Sequence, residues 1–322
     1  MQQPQGTVQH LPVMLARIVE LLSVALSRPG STYVDCTLGL GGHAEAILLA
    51  CPEARLIGID RDTQALARAA ERLAPFGERV TLVHARYDEL GRVLAEAGRP
   101  RVEAVLADLG LSSLQIDLKE RGFAYSVDAP LDMRMDASSP LTAAQVVNTY
   151  SVAELTGILR RFGEERFADR IARRIVAARQ TEEFTSSAPL VAVISDAIPM
   201  AARHTGGHPA KRTFQALRIE VNRELDSLSG LLPAAVAALA VGGRVAVLSY
   251  HSLEDRLVKN TLRDASTDRA PRGLPSVPEG LRAELRLLTR GAERPDAAEQ
   301  ALNPRAASAR FRAAERIREV AA

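Results

Sequence analysis

A glycine-rich turn between an apolar segment and a helical pattern is the first part of the chain that could do chemistry. Residues 34–49 read VDCTLGLGGHAEAILL, and Gly39, Gly41 and Gly42 follow Asp35. Glycines let a backbone approach a ligand closely, and the N–H groups at the start of the following helix can bind an acceptor. The stretch predicts a nucleotide-cofactor site. Its GxGxxA spacing is also compatible with a dinucleotide.

Carboxylates around this turn narrow the choice of ligand. Asp35 precedes the glycines, where its charge would repel a pyrophosphate and attract an ammonium group. Asp60 ends the next apolar segment, about 20 residues further on, where an acid can bind ribose hydroxyls. S-adenosylmethionine (SAM), a nucleoside with a zwitterionic amino acid, satisfies both. The alternative for Asp35 is that it caps a turn or pairs with a basic side chain, and Asp62 is expected to cap the following helix.

Two further segments end in side chains that would face the same ligand. Tyr87 follows the third strand pattern, where its ring can pack on adenine, and Asp108 ends the fourth. The carboxyl ends of the strands line the ligand crevice in a doubly wound sheet. Asp108 would therefore face the reacting atom or the adenine, unless it only caps the loop that follows.

The elements that must position these residues alternate between two patterns. Strand patterns fall at 31–37, 55–62, 79–86, 102–110 and 242–252, and helical patterns at 12–26, 42–50, 63–76, 87–97 and 212–239. This alternation predicts a parallel sheet with right-handed crossovers. Two late segments, 281–289 and 308–317, are expected to form an edge hairpin, although the second also fits a helix.

A helical block interrupts the alternation. From 116 to 210 the patterns are helical, at 140–150, 151–162, 164–180 and 188–201, with a capping box predicted at Ser151 and Glu154. We therefore expect an α/β core, a Rossmann-like doubly wound sheet, formed by residues 1–115 and 211–322. A helical domain over 116–210 would be inserted into it and would recognise the substrate.

Composition excludes several classes of protein. The 322 residues carry 41 Lys and Arg against 39 Asp and Glu, so the net charge of +2 selects no partner by itself. Cys36 and Cys51 form no CxxC pair, which predicts no metal site, no disulfide framework and a reducing cytoplasm. No apolar stretch approaches the roughly 18 residues of a membrane span, and no signal-peptide core is visible.

Arginines cluster in one helical segment of the predicted insertion. The segment 164–180 carries five arginines beside an apolar stripe, and the loop HTGGHPAKR (204–212) adds two more cations. Such a cluster would bind RNA phosphates, and the alternative is an ordinary solvated helix face. The candidate RNA-binding residues are Arg134, Arg166, Arg170, Arg174, Lys211 and Arg212.

Several longer blocks resemble one family. DCTLGLGGH (35–43), PLDMRMD (130–136), HPAKRTFQALRI (208–219), SYHSLEDR (249–256) and NPRAASA (303–309) resemble the bacterial small-subunit (16S) ribosomal RNA (cytosine-N4)-methyltransferase family RsmH (MraW). The resemblance runs from about residue 10 to 318 and implies a class I SAM-dependent methyltransferase core. It implies that SAM is bound by Gly41, Gly42, His43, Asp60, Tyr87, Asp108 and Gln115.

The chain departs from the family pattern at two places. Cys36 and Leu38 replace other residues of the glycine turn, and Tyr250 stands where the family often has Phe. Both departures are expected to be conservative for packing.

The reaction that the resemblance implies transfers a methyl group from SAM to the exocyclic N4 of a decoding-centre cytidine. The RNA would be presented in the small subunit or in an assembly intermediate. Since the amine lone pair is delocalised, the enzyme must align it with the S–CH3 bond and accept its proton. Asp108 is the first candidate acceptor, although its cofactor role competes. His251 is the second, with Ser252 and Glu254, and the alternative there is loop capping.

Other functions stay open on the sequence alone. They are a methyltransferase of another RNA or of a small molecule, a noncatalytic RNA-binding assembly factor, and an NAD-dependent oxidoreductase. The chain is expected to work in the cytoplasm, away from membranes, and a homodimer is left open.

Overall fold

The computed structural model describes residues 12–203, 207–270 and 277–319, so the first three residues of the basic loop 204–212 lie outside the described part. The chain forms two compact units. One comprises the residues up to Gly110 and from Ser227 onward, and the other is Leu111–Asp226.

Within the described residues, the first unit contains a seven-stranded sheet. Its strands are β1 (Thr32–Asp35), β2 (Arg55–Asp60), β3 (Val80–His84), β4 (Val102–Asp108), β5 (Leu239–Ser249), β6 (Leu285–Leu287) and β7 (Arg310–Arg316). Their order is β3-β2-β1-β4-β5-β7-β6. Strands β1 to β5 are parallel, β7 is antiparallel to β5, and β6 is antiparallel to β7. The predicted α/β class and the doubly wound sheet are therefore confirmed.

The two late segments form the predicted strand pair, and the helical alternative for 308–317 is wrong. β7 hydrogen-bonds to β5 on one side and to β6 on the other, so its backbone groups are satisfied between two strands. Phe311 is fully buried in this strand. Pairing with neighbouring strands thus decided between strand and helix for this segment, which periodicity alone could not separate.

The helices of the described residues follow in chain order. They are α1 (Leu15–Ser23), α2 (Gly42–Ala50), α3 (Thr63–Leu73), α4 (Leu90–Glu96), α5 (Ser113–Asp117), α6 (Ala143–Thr149), α7 (Val152–Gly163), α8 (Ala168–Ala178), α9 (Ser187–Ala197), α10 (Met200–Arg203), α11 (Lys211–Asn222), α12 (Glu224–Ala238), α13 (Ser252–Ala265) and α14 (Ala297–Leu302). The predicted capping box is confirmed at α7, where the Ser151 side chain accepts from Glu154 N. No helix in these described ranges has the length and apolar character that a membrane crossing requires.

Both faces of the central strands β1, β2 and β4 are buried, which explains why these strands read as continuous apolar runs. Side chains alternate between the faces, so Tyr33 joins one apolar cluster and Val34 the other. The Tyr33 face is covered by α1, α2 and α3, and the Val34 face by α4, α12 and α13. The carboxyl ends of β1, β2 and β4 are thereby fixed at one edge.

The second unit contains α5 to α11. It begins at Leu111 and ends at Asp226, so the expected insertion 116–210 lies inside it. α11, which the sequence analysis assigned to the core, belongs to this unit because it packs on α7. Close packing requires Gly163, where a Cβ would lie 2.6 Å from the Arg212 carbonyl oxygen.

The segment PLDMRMD is anchored inside the second unit by one buried amide. Asn222 Nδ2 donates to the Met133 carbonyl at 2.7 Å, and Asn222 Oδ1 accepts from Met135 N at 2.8 Å. Leu131, Met133 and Met135 are buried, so the apolar side chains alternate with the polar ones along this loop.

Candidate functional site

The glycine turn needs glycine for two different reasons. Gly39 and Gly41 have φ values of 53° and 75°, in the left-handed region that favours glycine. Gly42 needs space, since a Cβ there would lie 2.6 Å from Pro12 Cγ. The turn therefore brings bare backbone to the N-terminus of α2, where the first N–H groups have no acceptor within the helix.

Asp60 holds the turn against the second strand. Its Oδ2 accepts from Gly39 N at 2.7 Å, and its Oδ1 accepts from Asp62 N at 2.8 Å. Burial raises the pKa of Asp60, while these two backbone donors lower it. Each carboxylate oxygen keeps further acceptor capacity, which suits ribose hydroxyls. Asp62 is confirmed as the N-cap of α3, because its Oδ1 accepts from Gln64 N at 3.0 Å.

Asp35 is nearly fully buried at the end of β1. Its Oδ2 accepts from the Tyr33 hydroxyl at 2.8 Å, and its Oδ1 accepts from Thr37 N at 3.1 Å. Burial raises the pKa of Asp35 to about 6, against the opposing effects of His43, Tyr33 and Thr37. The structure thus shows the turn-capping alternative, and the contact with a SAM ammonium group stays a prediction.

Asp108 is held by a hydrogen bond to its side chain and is partly exposed. Its Oδ1 accepts from the Tyr250 hydroxyl at 2.7 Å, and its backbone N donates to Thr37 Oγ1 at 2.6 Å. The side chain is 23% exposed. Burial raises the pKa of Asp108 to about 7, while Tyr250 lowers it and Glu254 raises it. At neutral pH this group is therefore able to take up a proton or to release one.

His43 lies beside Asp108 in its neutral form. Its Nε2 is 3.0 Å from the Val13 carbonyl oxygen, which can only accept, so Nε2 carries the proton. Burial lowers the pKa of His43. Nδ1 is then an unprotonated acceptor, 3.7 Å from Asp108 Oδ2, which is too long for a direct hydrogen bond.

Two other predicted positions have clear local roles. Tyr87 begins a short 3-10 turn after β3, and its half-buried ring packs against the apolar cluster on the Val34 face. His251 is the N-cap of α13: its Nδ1 accepts from Glu254 N at 3.4 Å, and Glu254 Oε2 accepts from His251 N at 3.2 Å. The capping alternative is therefore observed for His251, and its catalytic role stays a prediction, as does stacking of Tyr87 on adenine.

Comparison with known proteins settles the family. A model of the MraW methylase family matches residues 7–317. The chain belongs to this family. The family resemblance stated from the sequence is therefore confirmed.

Curated relatives in this family cover almost the whole chain. Ribosomal RNA small subunit methyltransferase H of Streptomyces avermitilis is 60% identical over 311 residues, which are 97% of this chain and 98% of that protein. The protein of the same name from Frankia alni is 63% identical over 308 residues, 95% of each chain. Among solved structures, an rRNA methylase from Streptococcus thermophilus matches with a TM-score of 0.40 and 12% identity, over 97% of this chain and 100% of that one.

Gln115, which the MraW family resemblance assigns to SAM, lies in the second unit. It is buried in the capping box of α5, where Gln115 Oε1 accepts from Ser112 N at 3.1 Å and Gln115 N donates to Ser112 Oγ at 3.3 Å. Its contact with the cofactor stays a prediction.

The predicted RNA-binding residues fall into two groups. Arg134 is engaged within its own loop: it forms a two-point pair with Asp132 and donates through Nη1 to the carbonyls of Ala137 and Ser139, each at 2.8 Å. The exposed group is Arg166, Arg170, Arg174, Lys211 and Arg212. In α8 the apolar stripe is core packing, since Ile171 and Ile175 are fully buried.

Sequence reasoning missed the polar partners of the two strand-end acids. Tyr250 was expected to be conservative for packing, yet its hydroxyl reaches Asp108. The Tyr33 hydroxyl likewise donates a hydrogen bond to Asp35. The available signal was Tyr instead of the family's frequent Phe at 250, because a buried hydroxyl needs a hydrogen-bond partner.

Proposed function

We propose that this protein is a SAM-dependent methyltransferase that methylates the exocyclic N4 of a specific cytidine in the decoding centre of 16S ribosomal RNA. Family membership supports methyl transfer, and the names of the curated relatives support a small-subunit RNA substrate. The choice of cytosine N4 rests on the sequence resemblance. The structural observation that carries the proposal is Asp108, a partly exposed carboxylate with a pKa near neutrality at the end of β4. A ribosomal substrate would place the enzyme in the cytoplasm.

The residues of the first unit fit SAM as a bound cofactor. Gly39 and Gly41 hold the left-handed backbone of the turn, and the adjoining helix N-terminus offers N–H groups to a carboxylate. Asp60 keeps acceptor capacity for the ribose, Tyr87 offers an aromatic face for adenine, and Asp35 offers negative charge toward an ammonium group. Bound SAM would supply a methyl group on a sulfonium, which departs as a neutral thioether.

Asp108 would act on the amine of the cytidine. Its carboxylate accepts a hydrogen bond from one N4–H, which concentrates electron density on the nitrogen as the N–C bond forms. It then takes the proton that the methylated amine must lose. Tyr250 donates to one carboxylate oxygen, and the other oxygen remains for the amine.

The second unit would hold the RNA. The exposed cations Arg166, Arg170, Arg174, Lys211 and Arg212 would contact phosphates, and the target cytidine would be presented unstacked. On this proposal the second unit supplies the affinity for RNA, and the first unit supplies the groups that carry out methyl transfer.

The test is methyl transfer to small subunits that lack the mark. Subunits from a strain without this gene are incubated with labelled SAM, and their RNA is digested and analysed by mass spectrometry. We expect one N4-methylcytidine in the decoding centre. Asp108→Asn keeps the shape of the side chain but cannot take up the amine proton, so its rate should fall at least a hundredfold. Free 16S RNA, assembly intermediates and mature subunits, used in parallel, identify the substrate form.

Other outcomes point to the alternatives. Methyl transfer that ignores the small subunit would indicate another RNA or a small molecule as the substrate. RNA binding that is unchanged in Asp108→Ala and insensitive to SAM would indicate a noncatalytic assembly factor. Calorimetric titration with SAM and with NAD separates a methyltransferase from an oxidoreductase.

A further inference from the structure

Tyr250 makes a hydrogen bond that packing alone does not require. Its hydroxyl donates to Asp108 Oδ1 at 2.7 Å, although the two residues are 142 positions apart in the chain. The distance is ordinary for an O–H donor and lies at the upper end of the range for a charge-assisted bond to an ionised carboxylate. The hydroxyl thus stabilises one protonation state of the acid.

Strand register, one backbone hydrogen bond and one close glycine fix the position of Tyr250. Asp108 pairs with Leu248 in the register of β4 and β5, so Tyr250 follows two residues beyond the partner of Asp108. The Tyr250 backbone N donates to Glu254 Oε2 at 2.8 Å, at the start of α13. Gly110, with φ of 101°, lies against the ring, and a Cβ there would approach Tyr250 Cδ2 to 3.2 Å.

We propose that Tyr250 is a positioning residue, whose hydroxyl orients the Asp108 carboxylate and keeps it ionised for proton acceptance at neutral pH. The inference rests on the proposed function, in which Asp108 accepts the amine proton. A Phe at this position would pack in the same way and would leave Asp108 Oδ1 without this donor.

The other groups that act on Asp108 oppose its ionisation. Burial and the Glu254 carboxylate both favour the protonated acid. The charge of Asp108 raises the pKa of Asp35, and the charges of both acids raise the pKa of the Tyr33 phenol. His43 presents an unprotonated Nδ1 at 3.7 Å from Asp108 Oδ2 and donates its Nε2 proton to the Val13 carbonyl instead. Among these groups, Tyr250 is the one that donates to the Asp108 side chain.

The direction of the effect follows from this balance. The hydroxyl stabilises the carboxylate, so its removal in Tyr250→Phe raises the pKa of Asp108 further above its usual range. A hydrogen bond to an ionised group corresponds to a shift of about one to two pH units. The active, ionised form would then be lost from neutral solution and recovered in alkaline solution.

The experiment measures the titration of Asp108 and the rate in the same proteins. Carbon-13 NMR of carboxyl-labelled aspartate, assigned with Asp108→Asn, gives the titration midpoint without RNA. We expect a midpoint about one to two units higher in Tyr250→Phe, and the acid limb of kcat/KM to move by the same amount. In alkaline buffer the variant should recover to within about twofold of the wild-type rate.

Tyr150→Phe is a matched control in the second unit, because it removes another hydroxyl that donates to a carboxylate, Glu220, at 2.8 Å. It should leave both the Asp108 midpoint and the acid limb unchanged. Thermal melting checks that both variants fold, and Tyr250→Phe retains the ring that packs.

An unchanged Asp108 midpoint in Tyr250→Phe would overturn the inference, whatever the substrate is. A shifted midpoint with an unmoved acid limb would overturn the link to the reaction. If the protein methylates no small-subunit RNA but the midpoint still shifts, the proposed function fails while the control of Asp108 by Tyr250 stands.

Discussion

Three acids at the ends of neighbouring strands have different hydrogen-bond partners. Asp60 accepts from two backbone N–H groups, Asp35 from a phenol and a backbone N–H, and Asp108 from a phenol at one oxygen. Asp35 is nearly fully buried with its partners, whereas Asp108 is partly exposed and accepts at one oxygen. The difference suits Asp35 to holding the turn and Asp108 to exchanging a proton.

The buried charge of Asp35 predicts a pH-dependent stability. Its folded pKa of about 6 is above the ordinary value, so the folded state binds more protons and loses stability as pH rises toward 6. Asp35→Asn lacks this charge. We expect its free energy of unfolding, relative to wild type, to increase by about 1 kcal/mol between pH 5 and pH 7.5.

Urea unfolding of both proteins at the two pH values measures this difference. Asp62→Asn is the control, because its carboxylate caps α3 and no comparable increase with pH is expected. A difference for Asp35→Asn that stays constant with pH would contradict the assignment of a buried, charged Asp35.

At the scale of elements, the turn between β1 and α2 combines backbone conformation with close contact. Gly41 has φ of 75°, and a Cβ there would lie 3.3 Å from Leu73 Cδ1. We expect Gly41→Ala to cost about 1 kcal/mol of stability, and to weaken SAM binding at least tenfold because the turn must move. Isothermal titration with SAM measures the affinity.

Gly77 offers a matched control for this turn. It has φ of 55°, but a Cβ there would meet nothing within 4 Å. Gly77→Ala should therefore lose at least as much stability, because φ of 55° with ψ of −130° favours glycine, without a loss of SAM affinity. Equal SAM affinities in the two variants would show that the turn of Gly41 does not hold the cofactor.

Most elements were predictable because each has a local cause. Parallel strands buried on both faces read as apolar runs, and Ser151 with Glu154 marks the start of α7. α13 was missed, although His251 and Glu254 form its capping box. The assignment of α11 to the core failed for another reason: periodicity shows that a helix has an apolar face, but not which unit covers it.

The site was less predictable than the fold. The strand-end positions of Asp35, Asp60 and Asp108 follow from the pattern, but their partners do not. Tyr250 reaches Asp108 only because β5 lies beside β4 with Leu248 opposite Asp108. Strand order and register depend on residues far apart in the chain, so a local sequence pattern does not predict them.

At the scale of the whole molecule, the candidate RNA-binding cations and the proposed catalytic carboxylate lie in different units of the chain. The proposed proton acceptor lies in the first unit, whereas the exposed cations of α8 and of the start of α11 lie in the second. Changes in these cations should therefore alter RNA affinity and leave SAM affinity intact.

Arg170→Gln with Arg174→Gln tests this separation. Each lost phosphate contact reduces the slope of log Kobs against log salt by about 0.7 to 0.9. We expect the double variant to weaken small-subunit RNA binding and to reduce the slope by about 1.5. Filter binding across a salt series gives the slope, and calorimetry gives the SAM affinity.

The matched control is Arg68→Gln, which removes an exposed arginine of the first unit that lies 3.8 Å from Glu71. It should leave the slope unchanged. A slope that stays the same in the double variant would mean that α8 presents only a solvated face.

The insertion of the second unit between β4 and β5 has a consequence for how the chain folds. During synthesis β4 emerges from the ribosome long before β5, its neighbour in the sheet, because all of Leu111–Asp226 comes between them. Until then β4 is an edge with unpaired backbone groups, a state prone to misassociation. The pairing of Asp108 with Tyr250 therefore forms late, so the nascent chain acquires its reactive group only when the sheet closes.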